Sequence, residues 1–139
     1  MRVKSILDKI LEEASILHCH IGPFLALGVK AGLRAIEVLG YDPFRMRARV
    51  VVPAITTPYT CFVDGIQFIT GCTLGKCNIE LLKGSELKAV FTLDSKKLEL
   101  KVKEPVLKRL EEDSTDIEDK AREIMKTSLL ELFEERLFE

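Results

Sequence analysis

The sequence predicts an α+β domain in which helices pack on one face of a mostly antiparallel four-stranded sheet, in the order ααβαβββαα. Three observations carry this reading. Apolar residues recur at helical spacing over residues 3–17 and again after Gly22-Pro23. A β-branched run, Arg45 to Ala54 (RMRARVVVPA), is followed by three short alternating runs between residues 78 and 102. Helical periodicity then returns from Glu104 onward. Strands grouped apart from helices are the pattern of the α+β class.

Ile6, Ile10, Leu11, Ala14 and Leu17 line one side of the first predicted helix, opposite Lys9, Glu12 and Glu13, and this helix ends near His18. Gly22 breaks it. Pro23 opens a second helix, because proline has no amide hydrogen to lose in a first turn and its fixed φ suits a helix start. That helix runs to about Leu39, with Gly40 as its cap. Within it, Gly28, Gly32 and Ala35 form a stripe of small residues that lets another backbone approach closely, while Lys30, Arg34 and Glu37 exclude a membrane span. Arg45 to Ala54 reads as a strand entering the core. Thr57 and Pro58 suit the cap and first turn of a short helix carrying Cys61, Asp64 and Gln67.

Gly71 and Gly75 precede three predicted strands, Asn78 to Leu82, Leu87 to Leu93 and Lys97 to Val102. Turns at Lys83-Gly84 and Asp94-Ser95 would join them into an antiparallel meander. Glu104 to Glu112 reads as a short helix, and Ser114 opens a longer one with Ile117, Ala121, Ile124, Ser128 and Leu132 on one face. Near its end, Leu129, Leu130, Leu132, Phe133, Leu137 and Phe138 surround the helix with more apolar surface than one contact needs. The expectation is a core over residues 1–103 and a helical extension over 104–139, docked on the core or in a homodimer contact.

With 139 residues and 47% hydrophobic content, the chain can bury the core of one ordinary domain. Twenty-one basic residues against twenty-two acidic ones leave a formal charge of −1, so no global field points to nucleic acid or an anionic membrane. Small-molecule or protein partners are the default. Gln67 and Asn78 are the only side-chain amides, a bias of proteins from hot environments. Met1 to Ser15 lacks the apolar centre of a secretory signal, and Ile21 to Val29 is too short to span a bilayer, so a soluble cytoplasmic protein is expected. In a reducing compartment the four cysteines read as thiols, metal ligands or core residues rather than disulfides.

Chemistry concentrates in two stretches. In HCHIGPF, residues 18–24, the only two histidines, His18 and His20, flank Cys19 at a helix junction. Outside a helix, residues two apart project to the same side, so both imidazoles can meet one ion; the plainer alternative is polar residues finishing a helix. Cys61 falls in a first helical turn, where free amides and the helix dipole favour a thiolate, a ligand or a nucleophile; a buried inert thiol is the plainer alternative. Asp64 shares the face of Cys61, and Gln67 extends it obliquely, so either can orient a histidine or a water, or bond to nearby backbone. An unbroken helix would put Cys72 about 16 Å from Cys61, so a shared ion needs a chain reversal after Gly71 or a second protomer.

TGCTLGKC is not a phosphate loop, since Thr70 stands for the first glycine, Cys77 for the final Ser or Thr, and a helix precedes it. Lys76 reads as a solvated turn lysine or an anion contact in a cleft. Cys77 begins a strand and should point inward.

Together these residues resemble the FmdE family of formylmethanofuran dehydrogenase proteins. That family shows an HGHxCPG segment followed by C-x-x-D-[AG]-I-Q-x-x-T-G-C-T-x-G-K-x-N, and CFVDGIQFITGCTLGKCN, from Cys61 to Asn78, supplies every fixed position of the second segment. The resemblance runs from about residue 5 to about residue 100. It implies an α+β core, often dimeric, with a metal site, commonly zinc, near the histidine and cysteine positions. It also implies a companion to a molybdenum or tungsten formylmethanofuran dehydrogenase of archaeal one-carbon metabolism, as catalyst, metal carrier or regulator.

Three departures matter. Cys19 stands where the family has glycine, Gly22 where it has cysteine, and Phe24 where it has glycine, so a ligand set using the first-segment cysteine does not transfer. The cysteine-rich zinc ribbon that many members carry has no counterpart after Cys77.

The expected function is therefore a metal-binding accessory protein, with His18, His20, Cys61 and Cys72 around zinc or another divalent transition metal. Asp64, Gln67, Thr73 and Lys76 would stand behind the ligands or face what binds there. Its expected partner is a formylmethanofuran dehydrogenase complex or a small-molecule ligand. Two alternatives stay open. One is an enzyme acting on a small molecule, through an open zinc or through Cys61 with His18 or His20 as its base. The other is a homodimeric interaction module whose histidines and cysteines are structural.

Overall fold

A computed structural model describes residues 4–139; Val3, where the first helix is predicted to begin, lies outside the described residues. Helix α1 (Ile6–His18) is capped by Ser5, whose hydroxyl accepts from the amide of Asp8. It ends at Cys19, whose φ of 72° reverses the chain. Helix α2 (Pro23–Leu39) starts on its proline and ends at Gly40, whose amide donates to the carbonyl of Ile36. Most of α2 is buried, as its even apolar content requires.

Strand β1 (Arg47–Val52), helix α3 (Cys61–Thr70) and strand β2 (Ile79–Lys83) form a crossover unit, with β1 and β2 parallel. Strands β3 (Lys88–Leu93) and β4 (Lys96–Val102) follow as an antiparallel pair. Helices α4 (Glu104–Glu112), α5 (Ile117–Lys126) and the single turn α6 (Leu129–Leu132) lead to a last strand, β5 (Phe133–Phe138). The sheet order is β2-β1-β3-β4-β5. Alternate residues such as Val50, Phe91 and Leu100 are buried with the helices in one core, and the other sheet face is open.

The α+β class holds, with two corrections. The sheet has five strands, because residues 133–138 pair antiparallel with β4 instead of continuing a helix. Glu134, Glu135 and Arg136 are good helix formers in isolation, but tertiary contacts override that preference. Phe133 is buried, and Arg34 of α2 donates to both carboxylate oxygens of Glu135, at 2.6 and 2.9 Å. That fork holds the Glu135 carboxyl below its ordinary value. The pair's stabilisation is thus present above the ordinary glutamate range and is lost as pH falls through the lowered value.

The second correction concerns the meander. Strand β2 lies beside β1 in parallel, and β3 takes β1's other side. Parallel neighbours need a crossover of a dozen or more residues, and the segment containing α3 supplies one. The close backbone approach implied by the small stripe of α2 is made to α3. A Cβ on Gly65 would stand 2.6 Å from the amide nitrogen of Val29 and 2.8 Å from the carbonyl carbon of Gly28. Among the described residues no single helix is long and apolar enough to cross a membrane.

Candidate functional site

The end of α1, the start of α2 and the first turn of α3 converge. His18 is the last residue of α1, and its Nδ1 lies 2.6 Å from Oδ2 of Asp64, forty-six residues away on α3. A carboxylate partner means Nδ1 carries the hydrogen, which leaves Nε2 as the acceptor nitrogen. The His18 side chain is 10% exposed, and Nε2 is buried with no hydrogen-bond partner among the described residues. His20 follows in the short loop, its ring centroid 4.6 Å from that of His18. Gly22 allows that placement, since a Cβ there would lie 3.3 Å from His20 Nε2.

Cys61 is the first residue of α3 and is buried. It lines a small cavity of about 100 Å³ together with His20, Pro58 and the α2 N-terminus at Gly22 to Leu25. The far wall is Leu110, Asp113, Ser114 and Ile117, from α4 through the start of α5. Burial pushes the Cys61 thiol up, and the Asp64 carboxylate adds to this. The first-turn position therefore does not by itself yield a thiolate, contrary to the expectation from helix-end amides alone. A cation brought to the sulfur would reverse that balance.

Behind His18 runs a chain of hydrogen bonds. Gln67 Nε2 donates to Oδ1 of Asp64 at 3.2 Å, and Gln67 Oε1 accepts from the amide of Leu74 at 3.3 Å. The rest of the 61–78 motif fastens the turn after α3. Gly71 takes φ 76°, Lys76 Nζ donates to the Gly71 carbonyl at 2.7 Å and to Thr73 Oγ1 at 3.2 Å, and Asn78 Oδ1 accepts from the amide of Thr73. Asn78 Nδ2 also donates to the carbonyls of Pro43 and Met46. Among the described residues Lys76 and Thr73 make no hydrogen bond to His18, Asp64 or Gln67, and the turn they brace meets that chain at the Leu74 amide.

Cys72 stands beyond the opposite end of α3, about 15 Å of helix away from Cys61. It is fully buried, its Sγ 3.4 Å from the carbonyl of Met46. The structure does not bring it to His18, His20 and Cys61. Cys77, expected to point inward, is instead exposed with φ 59°. Cys19 is also exposed, at φ 72°, a conformation that suits the glycine it replaces in the motif. Among the described residues no three His, Cys, Asp or Glu side chains are already closed around a point that could hold an ion. The donors present nonetheless fit a borderline-soft cation in kind: an orphaned buried imidazole nitrogen, a second imidazole stacked beside it, and a thiol on the adjoining cavity.

Two contributors escaped sequence reasoning. The α4–α5 wall of the cavity lies some fifty residues from Cys61, with no motif to mark it. Tyr59, stacked edge-on against Phe24 and hydrogen-bonded to Glu111, ties that wall to the site.

Comparison with known proteins adds three findings. A family model described as "FmdE, Molybdenum formylmethanofuran dehydrogenase operon" matches residues 17–139. A probable S-adenosyl-L-methionine-binding protein of Archaeoglobus fulgidus is 41% identical over 73 residues, which is 52% of this chain and 20% of that protein; the chain spans about a fifth of this relative's length. A tungsten formylmethanofuran dehydrogenase FmdE-like protein of Syntrophus aciditrophicus has a similar structure, with a TM-score of 0.62 at 17% identity, over 99% of this chain and 77% of that one. At that identity the likeness speaks for a shared fold.

Proposed function

Because this chain belongs to the FmdE family, we propose that it is a metal-binding accessory protein of a molybdenum or tungsten formylmethanofuran dehydrogenase in archaeal one-carbon metabolism, with zinc held by His18, His20 and Cys61. The observation that carries this reading is the buried Nε2 of His18, which has no partner among the described residues and whose Nδ1 is bonded to Asp64. A buried ring nitrogen left without a partner is costly, whereas a histidine that gives its other N–H to a carboxylate is the usual form of a metal ligand. Gln67 holds Asp64, Asp64 sets the tautomer and angle of His18, and Gly22 leaves room for His20 to lie against it. Bound zinc would supply Lewis-acid polarisation of a water or carbonyl oxygen. With at most three of these side chains as ligands, the metal would keep a position for water or a small ligand.

The raised thiol of Cys61 favours the ligand reading over the nucleophile reading, since a neutral thiol attacks poorly and a metal would deprotonate it. Zinc per chain in purified protein, compared with a Cys61→Ser variant, tests the assignment. The wild type is expected to hold about one zinc per chain and the variant well under half of that. Equal content in both would remove Cys61 from the site.

A further inference from the structure

The helix-free face of the sheet carries its own charge pattern, and that pattern breaks at one end. Three cations on this face are matched by carboxylates. Arg49 bonds Glu80 at 2.9 Å, Lys88 lies 3.4 Å from Glu99, and Lys101 lies 2.7 Å from Glu86. The strand register then places Arg47, Thr92, Lys97 and Phe138 side by side in the row at the end of the face. Here, among the described residues, neither cation has a carboxylate partner. Arg47 donates to the backbone carbonyl of Cys77 at 3.3 Å, and the Lys97 ammonium sits 5.0 Å from the centre of the Phe138 ring.

Arg47 and Lys97 both line a cleft of about 660 Å³, which Leu74, Ile79 and Val90 make partly apolar. The volume is that of a site for a nucleotide-sized molecule. The Arg49–Glu80 pair also lines the cleft and its charges cancel, so the two uncompensated cations leave a net positive potential there in a chain that is nearly neutral as a whole. Arginine's planar fork suits a phosphate, and lysine adds a point charge. We propose that this cleft binds a small phosphorylated organic anion. Arg47 and Lys97 take the phosphate, and Leu74, Ile79 and Val90 meet the apolar part. The site lies across the sheet from His18 and Cys61 and does not depend on metal binding there.

Calorimetric titration of the full chain with ADP, adenosine and inorganic phosphate tests the proposal. ADP is expected to bind at submillimolar concentration, with adenosine and phosphate each at least about tenfold weaker, because each offers only half of the recognition. An Arg47→Ala/Lys97→Ala variant with unchanged circular dichroism should lose about a hundredfold in ADP affinity, roughly tenfold for each charge-assisted contact. ADP should also slow iodoacetamide alkylation of the exposed Cys77, which lines the cleft, and leave that of Cys19 unchanged. No ADP binding at millimolar concentration, full affinity in the double variant, or phosphate binding as tightly as ADP would each overturn the proposal.

Discussion

Gly65→Ala is expected to destabilise the protein by about 3 kcal/mol or more, the upper end of what overpacking a tight contact costs. For a chain of this size that lowers the melting temperature by about 10 °C or more. The added methyl would stand 2.6 Å from the backbone nitrogen of Val29 and 2.8 Å from the carbonyl carbon of Gly28, and neither atom belongs to a side chain that can turn away. Relief requires α2 and α3 to separate, which would also move Asp64 from His18, because the two helices and α1 meet at that junction. Gly75→Ala is the matched control, with its nearest neighbour 4.0 Å away, and should change stability by no more than about 0.5 kcal/mol. Thermal melts of both variants decide the matter. A Gly65→Ala protein that melts with the wild type would mean that the helices are not packed as described.

Asp64→Asn is expected to weaken zinc binding by about 10- to 100-fold, the usual cost of losing the group behind a histidine ligand. Asparagine keeps the shape and can still accept from His18 Nδ1. It removes the charge that fixes the tautomer and the orientation of the ring. Competition against a chromophoric zinc chelator reads the effect, with circular dichroism as the check on folding. Unchanged affinity would show that Asp64 does not act through His18.

Much of this junction is readable in the sequence, because its signals are local. Gly22-Pro23 and Gly40 bound α2 through chemistry that involves only their neighbours. The small stripe of α2 announces a close neighbour, although not that Gly65 of α3 is its counterpart. The spacing of Cys61 and Asp64 puts them on one helical face, and the fold then brings Asp64 to His18 across forty-six residues.

What escapes depends on long-range pairing. Residues 133–138 look helical by composition and become strand only because β4 offers an edge and Arg34 a partner for Glu135. Hairpin-like turns favour consecutive pairing and so suggest the wrong neighbour for β2, whereas the crossover through α3 carries β2 to the far side of β1. Cys77 reverses direction because it closes a short turn on Leu74 with a left-handed φ, which nothing in its strand-like surroundings signals. The 61–78 motif also proves to have two parts. Asp64 and Gln67 brace His18 and Cys61 lines the cavity beside His20, while Thr73, Lys76 and Asn78 clamp the turn that ends α3.

Crystals grown with zinc and measured at the zinc absorption edge test the proposed metal centre most directly. One anomalous peak per chain is expected within bonding reach of His18 Nε2 and Cys61 Sγ, at about 2.0–2.1 Å from nitrogen and about 2.3 Å from sulfur. A peak at Cys72 or Cys77, or none beside His18, would contradict it.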